Sequence, residues 1–118
     1  MPCPKDAGLP GGALLFARFK MSDCIVQAMS SNIFHDLGFT PANSFVVECQ
    51  NQQQIDLYWD QLGRHGRYEM CGWLADQFGV SWQIVPEILP VLMNDPEKWP
   101  QVMEKIRTMQ KIDLAALG

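Results

Sequence analysis

Apolar and polar residues alternate along two neighbouring segments near the start of the chain. Residues 13–20 place Ala17 and Phe19 on one face of an extended segment, with mostly polar residues on the other face. Residues 21–23 form a short polar break, and residues 24–30 resume the extended pattern. Because side chains in a strand repeat every two residues, this arrangement predicts a β-hairpin.

A third strand and a helix are predicted in the middle of the chain. Residues 44–49 are rich in β-branched and aromatic residues, which is typical of a strand. Asn51 is a suitable helix N-cap, and Gln54 completes a variant of the capping box. One apolar stripe follows at helical spacing, formed by Ile55, Tyr58, Trp59 and Leu62. The pattern predicts a helix over 51–62, which Gly63 ends.

The remainder of the chain changes from strand patterns to helical ones. Gly79 separates two strand-like segments, and Pro86 begins a helical pattern whose stripe is Trp99, Val102, Met103 and Ile106. The predicted elements are, in order, strands over 67–74 and 80–85, a short turn over 88–92, a helix over 96–110 and a last turn over 113–117. Residues 1–12 are interpreted as an irregular leader, residues 31–43 as a connecting loop, and 1–118 as a single domain.

Composition and charge narrow the class of protein. The 118 residues are 47% hydrophobic and 19% charged, which is enough apolar material for one domain with a buried core. Nine basic and thirteen acidic residues give a net charge of −4, and no basic stripe could neutralise phosphates, so no nucleic-acid partner is expected. The longest apolar run, 13–17, is far short of a membrane span, and no signal peptide is recognisable. We therefore expect a cytoplasmic protein with no membrane partner.

The cysteines and histidines do not form a recognisable metal or disulfide pattern. The four cysteines stand at positions 3, 24, 49 and 71, and no two have the C-x-x-C spacing of a metal site. His35 and His65 lie far apart in the sequence, and both are interpreted as loop residues. We expect buried or idle thiols. A nucleophilic Cys71 would need a base, for which His65 is the neighbouring candidate.

A block of irregular composition in the second half of the chain resembles a known family. It comprises residues 71–74 (CGWL), Asp76 and residues 78–86 (FGVSWQIVP), with Tyr-Trp at 58–59 upstream and KIDLAAL at 111–117. These residues resemble the PhnB-like proteins, often labelled 3-demethylubiquinone-9 3-methyltransferase domain proteins. That family belongs to the glyoxalase/bleomycin-resistance (vicinal oxygen chelate) superfamily.

The resemblance extends over about residues 13–117 and implies an α+β fold of paired βαβββ modules, with a C-terminal helical tail. The sheets of such modules curl into a cup, and in metal-using members four strands supply ligands to one divalent ion. The usual ligand positions fall on Gln27, Ser44 and Gln83, and the fourth would come from a first strand not found in this chain. Because neutral amide and hydroxyl oxygens hold a transition metal poorly, we expect neither a metal nor a cofactor.

The positions that the resemblance identifies are better suited to orient an organic ligand. Glu48 has the strand parity of Ser44 and can enter the cup, while Trp73 and Met29 are further candidates for its lining. The two glutamines then act as hydrogen-bonding groups in an otherwise apolar pocket. The expected ligand is a small molecule whose identity the sequence does not name.

The resemblance also implies a fold that is shortened at its N-terminal end. A two-module member begins with a strand and a helix before the hairpin, where this chain has only its leader. An apolar hairpin face then needs another cover: Leu15, Ala17, Phe19, Val26 and Ala28. We expect a second copy of the chain, in a homodimer, or the C-terminal helices to supply that cover. A truncated or degenerate gene product is the alternative.

Three classes of function remain open. The first, which we favour, is a binding protein of the bleomycin-resistance kind that holds a ligand in an apolar cup. The aromatic residues that could line such a cup are Phe16, Phe45, Trp73 and Trp82. The second is an enzyme, either a metal-dependent lyase, isomerase or dioxygenase or, by the family label, a methyltransferase. Gly11 and Gly12 lead into a strand and not a helix, so they do not form a nucleotide-binding loop. The third is a structural subunit without a ligand.

Overall fold

The computed structural model describes residues 16–29 and 38–117, and the chain divides into two compact units, residues 1–37 and 38–118. The predicted leader and His35 lie outside the described residues, as do residues 31–37 of the predicted loop. That residues 1–118 form a single domain stays a prediction.

The first unit contains the predicted hairpin. Strand β1 (Phe16–Met21) pairs antiparallel with β2 (Cys24–Met29) through a tight turn in which Ser22 has a φ of 53°. Arg18 lies opposite Gln27 and Phe19 lies opposite Val26, so the hairpin has one apolar face and one mixed face, as the alternation predicts. Both strands are largely exposed in their described residues.

The second unit contains a mixed sheet and four helices. Its elements are β3 (Ser44–Cys49), α1 (Gln52–Gly63), β4 (Arg67–Tyr68), β5 (Trp73–Ala75), β6 (Ser81–Pro86), α2 (Leu89–Met93), α3 (Trp99–Ile106) and α4 (Leu114–Leu117). The strand order is β3-β6-β5-β4, with β3 parallel to β6 and the other pairs antiparallel. The run from β3 to β6 is therefore one βαβββ module, and the predicted α+β class is confirmed.

Local chemistry explains where α1 begins. The Asn51 side-chain oxygen accepts a hydrogen bond from the Gln54 N–H at 2.9 Å, which satisfies a free donor of the first turn. The side-chain carbonyl oxygen of Gln54 in turn accepts a hydrogen bond from the backbone N–H of Gln50 at 2.8 Å. The predicted cap is therefore correct. Further along the helix, Ile55 and Trp59 are buried, as the apolar stripe predicts.

Two details of the prediction differ from the structure. Gly63 ends α1, but the next residue keeps a right-handed helical conformation, so no left-handed glycine cap is present. Gly63 instead provides space, because a Cβ there would overlap the Tyr68 ring. The predicted single strand over 67–74 is two strands, because Cys71 and Gly72 have φ values of 61° and 81° and turn the chain between them. A Cβ at Gly72 would lie 2.8 Å from the Ile84 carbonyl oxygen.

Apolar side chains form two clusters in the second unit. The first lies between α1 and the sheet and contains Cys49, Ile55, Trp59, Leu74 and Ile84. The second joins the sheet to the C-terminal segment and contains Val85, Val102, Ile106, Ile112 and Leu117. The predicted helix over 96–110 is shorter than expected, at eight residues, because its remaining positions form turns at either end. None of the helices in the described ranges is both long and apolar enough to cross a membrane.

Gln52 ties the C-terminal segment to α1. Its side-chain amide donates to the Ile112 carbonyl oxygen at 3.1 Å and accepts the Leu114 N–H at 2.9 Å. The same amide donates to Asp56 at 3.0 Å, and Lys111 forms an ion pair with Asp56 at 2.9 Å. The hydrogen bond from Gln52, followed by that from Lys111, lowers the pKa of Asp56. The ionised Asp56 carboxylate therefore contributes to stability at neutral pH, and this contribution is lost as the pH falls through the folded-state pKa of Asp56.

We predict that Gln52→Ala loosens the C-terminal segment. Removing two hydrogen bonds to backbone groups should lower the free energy of unfolding by about 1–2 kcal/mol. Amide hydrogen exchange over residues 112–117 should become faster than in the unmodified protein. Gln53→Ala is the matched control, since Gln53 lies next to Gln52 on α1 and is exposed. Equal changes in stability and hydrogen exchange for the two variants would show that the Gln52 hydrogen bonds do not hold the C-terminal segment in place.

Candidate functional site

The sheet of the second unit has one face that packs on α1 and one that does not. Cys49, Leu74 and Ile84 point toward α1, so their neighbours along each strand point to the other side. The strand register aligns those neighbours across the sheet. We call this second side the polar face, and its residues are Ser44, Val46, Glu48, Arg67, Trp73, Ala75, Ser81, Gln83 and Val85.

Ser44 and Gln83 are joined directly on the polar face. The Gln83 side-chain nitrogen donates to the Ser44 hydroxyl oxygen at 2.9 Å, and both residues are half-buried. The bond leaves the Gln83 carbonyl oxygen as an acceptor and the Ser44 hydroxyl hydrogen as a donor. Together they offer a ligand one donor and one acceptor at a defined position.

The polar face also holds Trp73 and Glu48. Trp73 lies opposite Gln83 in the β5–β6 register and is half-buried, so its indole ring adds apolar surface beside the amide. Glu48 lies opposite Val85, is exposed, and has no ion-pair partner among the residues that the structure describes. Four of the residues that the sequence proposed therefore share one face of one sheet.

Two aromatic residues that the sequence predicts to line the ligand cup lie on the α1 side of the sheet and not on the polar face. Phe45 and Trp82 have the parity of the α1 face, where their ring centroids are 4.9 Å apart. Trp82 packs against the core cluster under α1. This part of the sequence interpretation is wrong, because adjacent residues of a strand point to opposite sides of the sheet.

Gln27 and Met29 belong to the first unit. Both lie on β2 and share a face of the hairpin with Arg18, which pairs with Gln27. Met29 is 75% exposed in the described structure. Their predicted role as cup residues stays a prediction.

A cleft of about 370 Å³ adjoins the polar face where β3 and β6 begin. Ser81 lies on its wall and is only 3% exposed, yet its hydroxyl makes no hydrogen bond within the described part of the chain. The cleft is lined by Phe39, Pro41, His65, Gly66, Arg67, Ala75, Asp76, Gln77, Gly79 and Ser81. Among the described residues no buried side-chain oxygen or nitrogen lacks a hydrogen-bond partner, so the unbonded Ser81 hydroxyl is open to the cleft, where it can donate to or accept from a bound molecule.

Asp76 holds the turn that forms one wall of this cleft. One of its carboxylate oxygens accepts the backbone N–H groups of Phe78 at 2.9 Å and Val80 at 3.0 Å. The other accepts the indole N–H of Trp82 at 2.9 Å. Gly79 completes the turn with a φ of 87°, a conformation that favours glycine. The turn is therefore preorganised and positions Ser81 at the start of β6.

Two basic side chains stand at the rim of the cleft. The Arg67 guanidinium is 73% exposed, and its nearest carboxylate, that of Glu69, is 3.7 Å away. His65 is exposed in the turn between α1 and β4, so its predicted loop position is correct. No pattern in the sequence assigns a role to Arg67, Ser81 or Asp76, although Ser81 and Asp76 lie in the motif that carries the family resemblance. Only the fold brings them around one cleft.

The polar face does not fit a divalent transition metal. Ser44 and Gln83 are neutral and already bonded to each other, and Glu48 is the only carboxylate of that face. Asp76 uses both of its oxygens on N–H donors. Over the described ranges 16–29 and 38–117, no three His, Cys, Asp or Glu side chains come close enough together to hold an ion. The donor set of the polar face therefore has a single anionic ligand and no imidazole, whereas such metals prefer several ligands of these kinds.

The described cysteines have different surroundings. Cys49 is fully buried in the core, and burial raises the pKa of its thiol, so it remains protonated at neutral pH. Cys24 is exposed and Cys71 is half-buried, and the thiols of all three are free. Cys3 lies outside the described residues.

Comparison with known proteins identifies the family of this chain. The family model described as 3-demethylubiquinone-9 3-methyltransferase matches residues 2–85. Among solved structures, a PhnB protein from Bacillus cereus, which carries the same methyltransferase name, is similar with a TM-score of 0.68 and 27% sequence identity. The similarity covers 73% of this chain and 74% of that one. The search of curated proteins found no match.

The family match and the fold agree with each other. The matched residues include the hairpin and the βαβββ run from β3 to the penultimate residue of β6, and both lie within the span of about 13–117 over which the sequence resembles this family. The structural similarity to the Bacillus protein is consistent with a glyoxalase-like fold. The chain therefore belongs to the PhnB-like 3-demethylubiquinone-9 3-methyltransferase family and is a protein of the glyoxalase/bleomycin-resistance type.

Proposed function

We propose that this protein binds an organic small molecule at the polar face and the adjoining cleft, without a metal ion. The observation that carries the proposal is the unpartnered hydroxyl of Ser81, a residue that lies on the polar face and also lines the cleft. The bonded pair Ser44 and Gln83 lies on the same face. Three polar groups around apolar surface are the usual composition of a small-molecule site.

The polar groups indicate the chemistry of the ligand. Ser81 can donate and accept, Gln83 offers a carbonyl acceptor, and Arg67 offers a cation at the rim. A molecule with both hydrogen-bond donors and acceptors, such as one bearing hydroxyl and carbonyl groups, matches this set. The cleft volume of about 370 Å³ is that of a small ligand.

The proposal does not depend on the methyltransferase name of the family. The chain passes from β3 to α1 through Gln50 and Asn51, which are not the glycine-rich turn that would hold a nucleotide-like cofactor at a helix N-terminus. We therefore propose binding without assigning a reaction.

We predict that fragments with paired hydroxyl and carbonyl groups bind at this site. In nuclear magnetic resonance titrations of the full chain, the amides of Ser44, Trp73, Ser81 and Gln83 should shift. Gln83→Leu should weaken the best fragment about fivefold, because one hydrogen bond is lost. Gln53→Leu makes the same exchange on the exposed side of α1 and should leave binding unchanged. A library whose hits all map elsewhere would refute the site.

The proposed absence of a metal is tested by elemental analysis. Protein purified without chelators should contain well below one equivalent of zinc, iron, manganese, nickel or copper per chain. Dialysis against a chelator should leave the melting temperature unchanged, because the polar face does not have a set of ligands through which a bound ion could stabilise the fold. A stoichiometric ion that is lost together with stability would contradict the proposal.

We also propose that the chain forms a homodimer through the hairpin of the first unit. Phe19 remains 45% exposed and lies opposite Val26 on the apolar face. A two-stranded sheet is marginal by itself in water and gains stability from a further packing partner. A second copy of this chain is the partner that we propose.

We predict that a charge on this face separates the two copies. Val26→Asp should convert a dimer to a monomer, or unfold the hairpin, as measured by sedimentation at micromolar concentration. Arg18→Glu is the control, because Arg18 lies on the opposite face of the same hairpin. A monomeric unmodified protein would exclude the dimer.

A further inference from the structure

The C-terminal helices form a groove of about 510 Å³ that shares no lining residue with the cleft beside Ser81. Every residue on its walls comes from α2, α3, α4 or the residue next to one of them. The lining residues are Ile88, Leu92, Lys98, Gln101, Val102, Lys105, Leu114 and Leu117.

The polar and apolar lining residues lie on different elements. Lys98, Gln101, Val102 and Lys105 are spaced i, i+3, i+4 and i+7, so they share one face of α3 and its first turn. Val102 is buried at the base of that face, while the two lysines and the glutamine are exposed. The walls supplied by α2 and α4 are apolar. The groove therefore combines one cationic wall with apolar walls opposite.

The two lysines are unneutralised in a chain whose net charge is −4. Neither forms an ion pair within residues 16–29 and 38–117, whereas Lys111 pairs with Asp56. No acidic residue lines the groove. Glu104, which precedes Lys105, lines a different cleft together with Arg107. The positive charge at the groove is therefore available to a ligand.

We propose that this groove binds a single-chain amphiphile with an anionic head, of the class of medium-chain carboxylates. The aliphatic chain lies against Leu92, Leu114 and Leu117, and the carboxylate lies between Lys98 and Lys105. A groove of about 510 Å³ is in the range of small-ligand sites. A neutral chain would leave the lysines without a counter-charge, and a cationic one would be repelled.

The experiment uses the full chain and decanoate below its critical micelle concentration. Titration calorimetry should show binding, and amide shifts should be confined to residues 88–117. Decanol and decyltrimethylammonium should bind at least tenfold more weakly than decanoate. Octanoate should bind more weakly than decanoate, by about fourfold for each methylene that the groove buries. Higher salt should weaken decanoate and leave decanol unaffected.

The double variant Lys98→Gln with Lys105→Gln removes the charges from the groove. Both side chains are exposed, so the fold should be retained, and decanoate affinity should fall about tenfold while decanol affinity is unchanged. Arg107→Gln removes one exposed positive charge that lines a different cleft and should preserve decanoate binding. Equal binding of decanoate and decanol, or an equal loss in the Arg107 control, would overturn the proposal. Binding to phosphatidylglycerol vesicles without binding to decanoate would also overturn it.

Discussion

The packing of α1 on one face of the sheet is the constraint on which the second unit depends. Ile55 and Trp59 bury their side chains against Cys49, Leu74 and Ile84, which come from three different strands. Because side chains alternate along a strand, a slip of one residue in β3 would put Glu48 or Gln50 against α1 in place of Cys49, and a slip in β6 could put Gln83 there in place of Ile84. The core therefore sets the register of the whole sheet. Trp59 adds specificity by stacking on Tyr68, with ring centroids 4.8 Å apart.

The same register builds the polar face. Once Ile84 points to α1, Gln83 must point away from it, where the alignment of β3 and β6 brings it within hydrogen-bonding distance of Ser44. Asp76 then fixes the turn before β6 and holds Ser81 at the cleft. The apolar packing on one side of the sheet and the hydrogen-bonding groups on the other are thus consequences of one arrangement of strands.

The C-terminal segment adds a second, independent surface. Gln52 joins the beginning of α1 to Ile112 and Leu114, and the second apolar cluster holds the helices against Val85. Helices held in this way leave a groove between them whose charge differs from that of the chain as a whole. The protein therefore presents two surfaces of different chemistry, a hydrogen-bonding face on the sheet and a cationic, apolar groove among the helices.

Elements whose causes are local can be read from the amino-acid sequence. The Asn51 cap, the stripe at Ile55 and Trp59, and the alternation of the hairpin each depend on residues a few positions apart, and the family motif identified the fold. Which distant residues come into contact depends on how the strands and helices pack. The bond between Ser44 and Gln83 spans 39 positions and that between Gln52 and Leu114 spans 62, and no periodic pattern encodes such pairs. Alternation specifies the parity of a strand but not its neighbour or its sheet face, so the cleft and the groove appear only when the strands and helices pack.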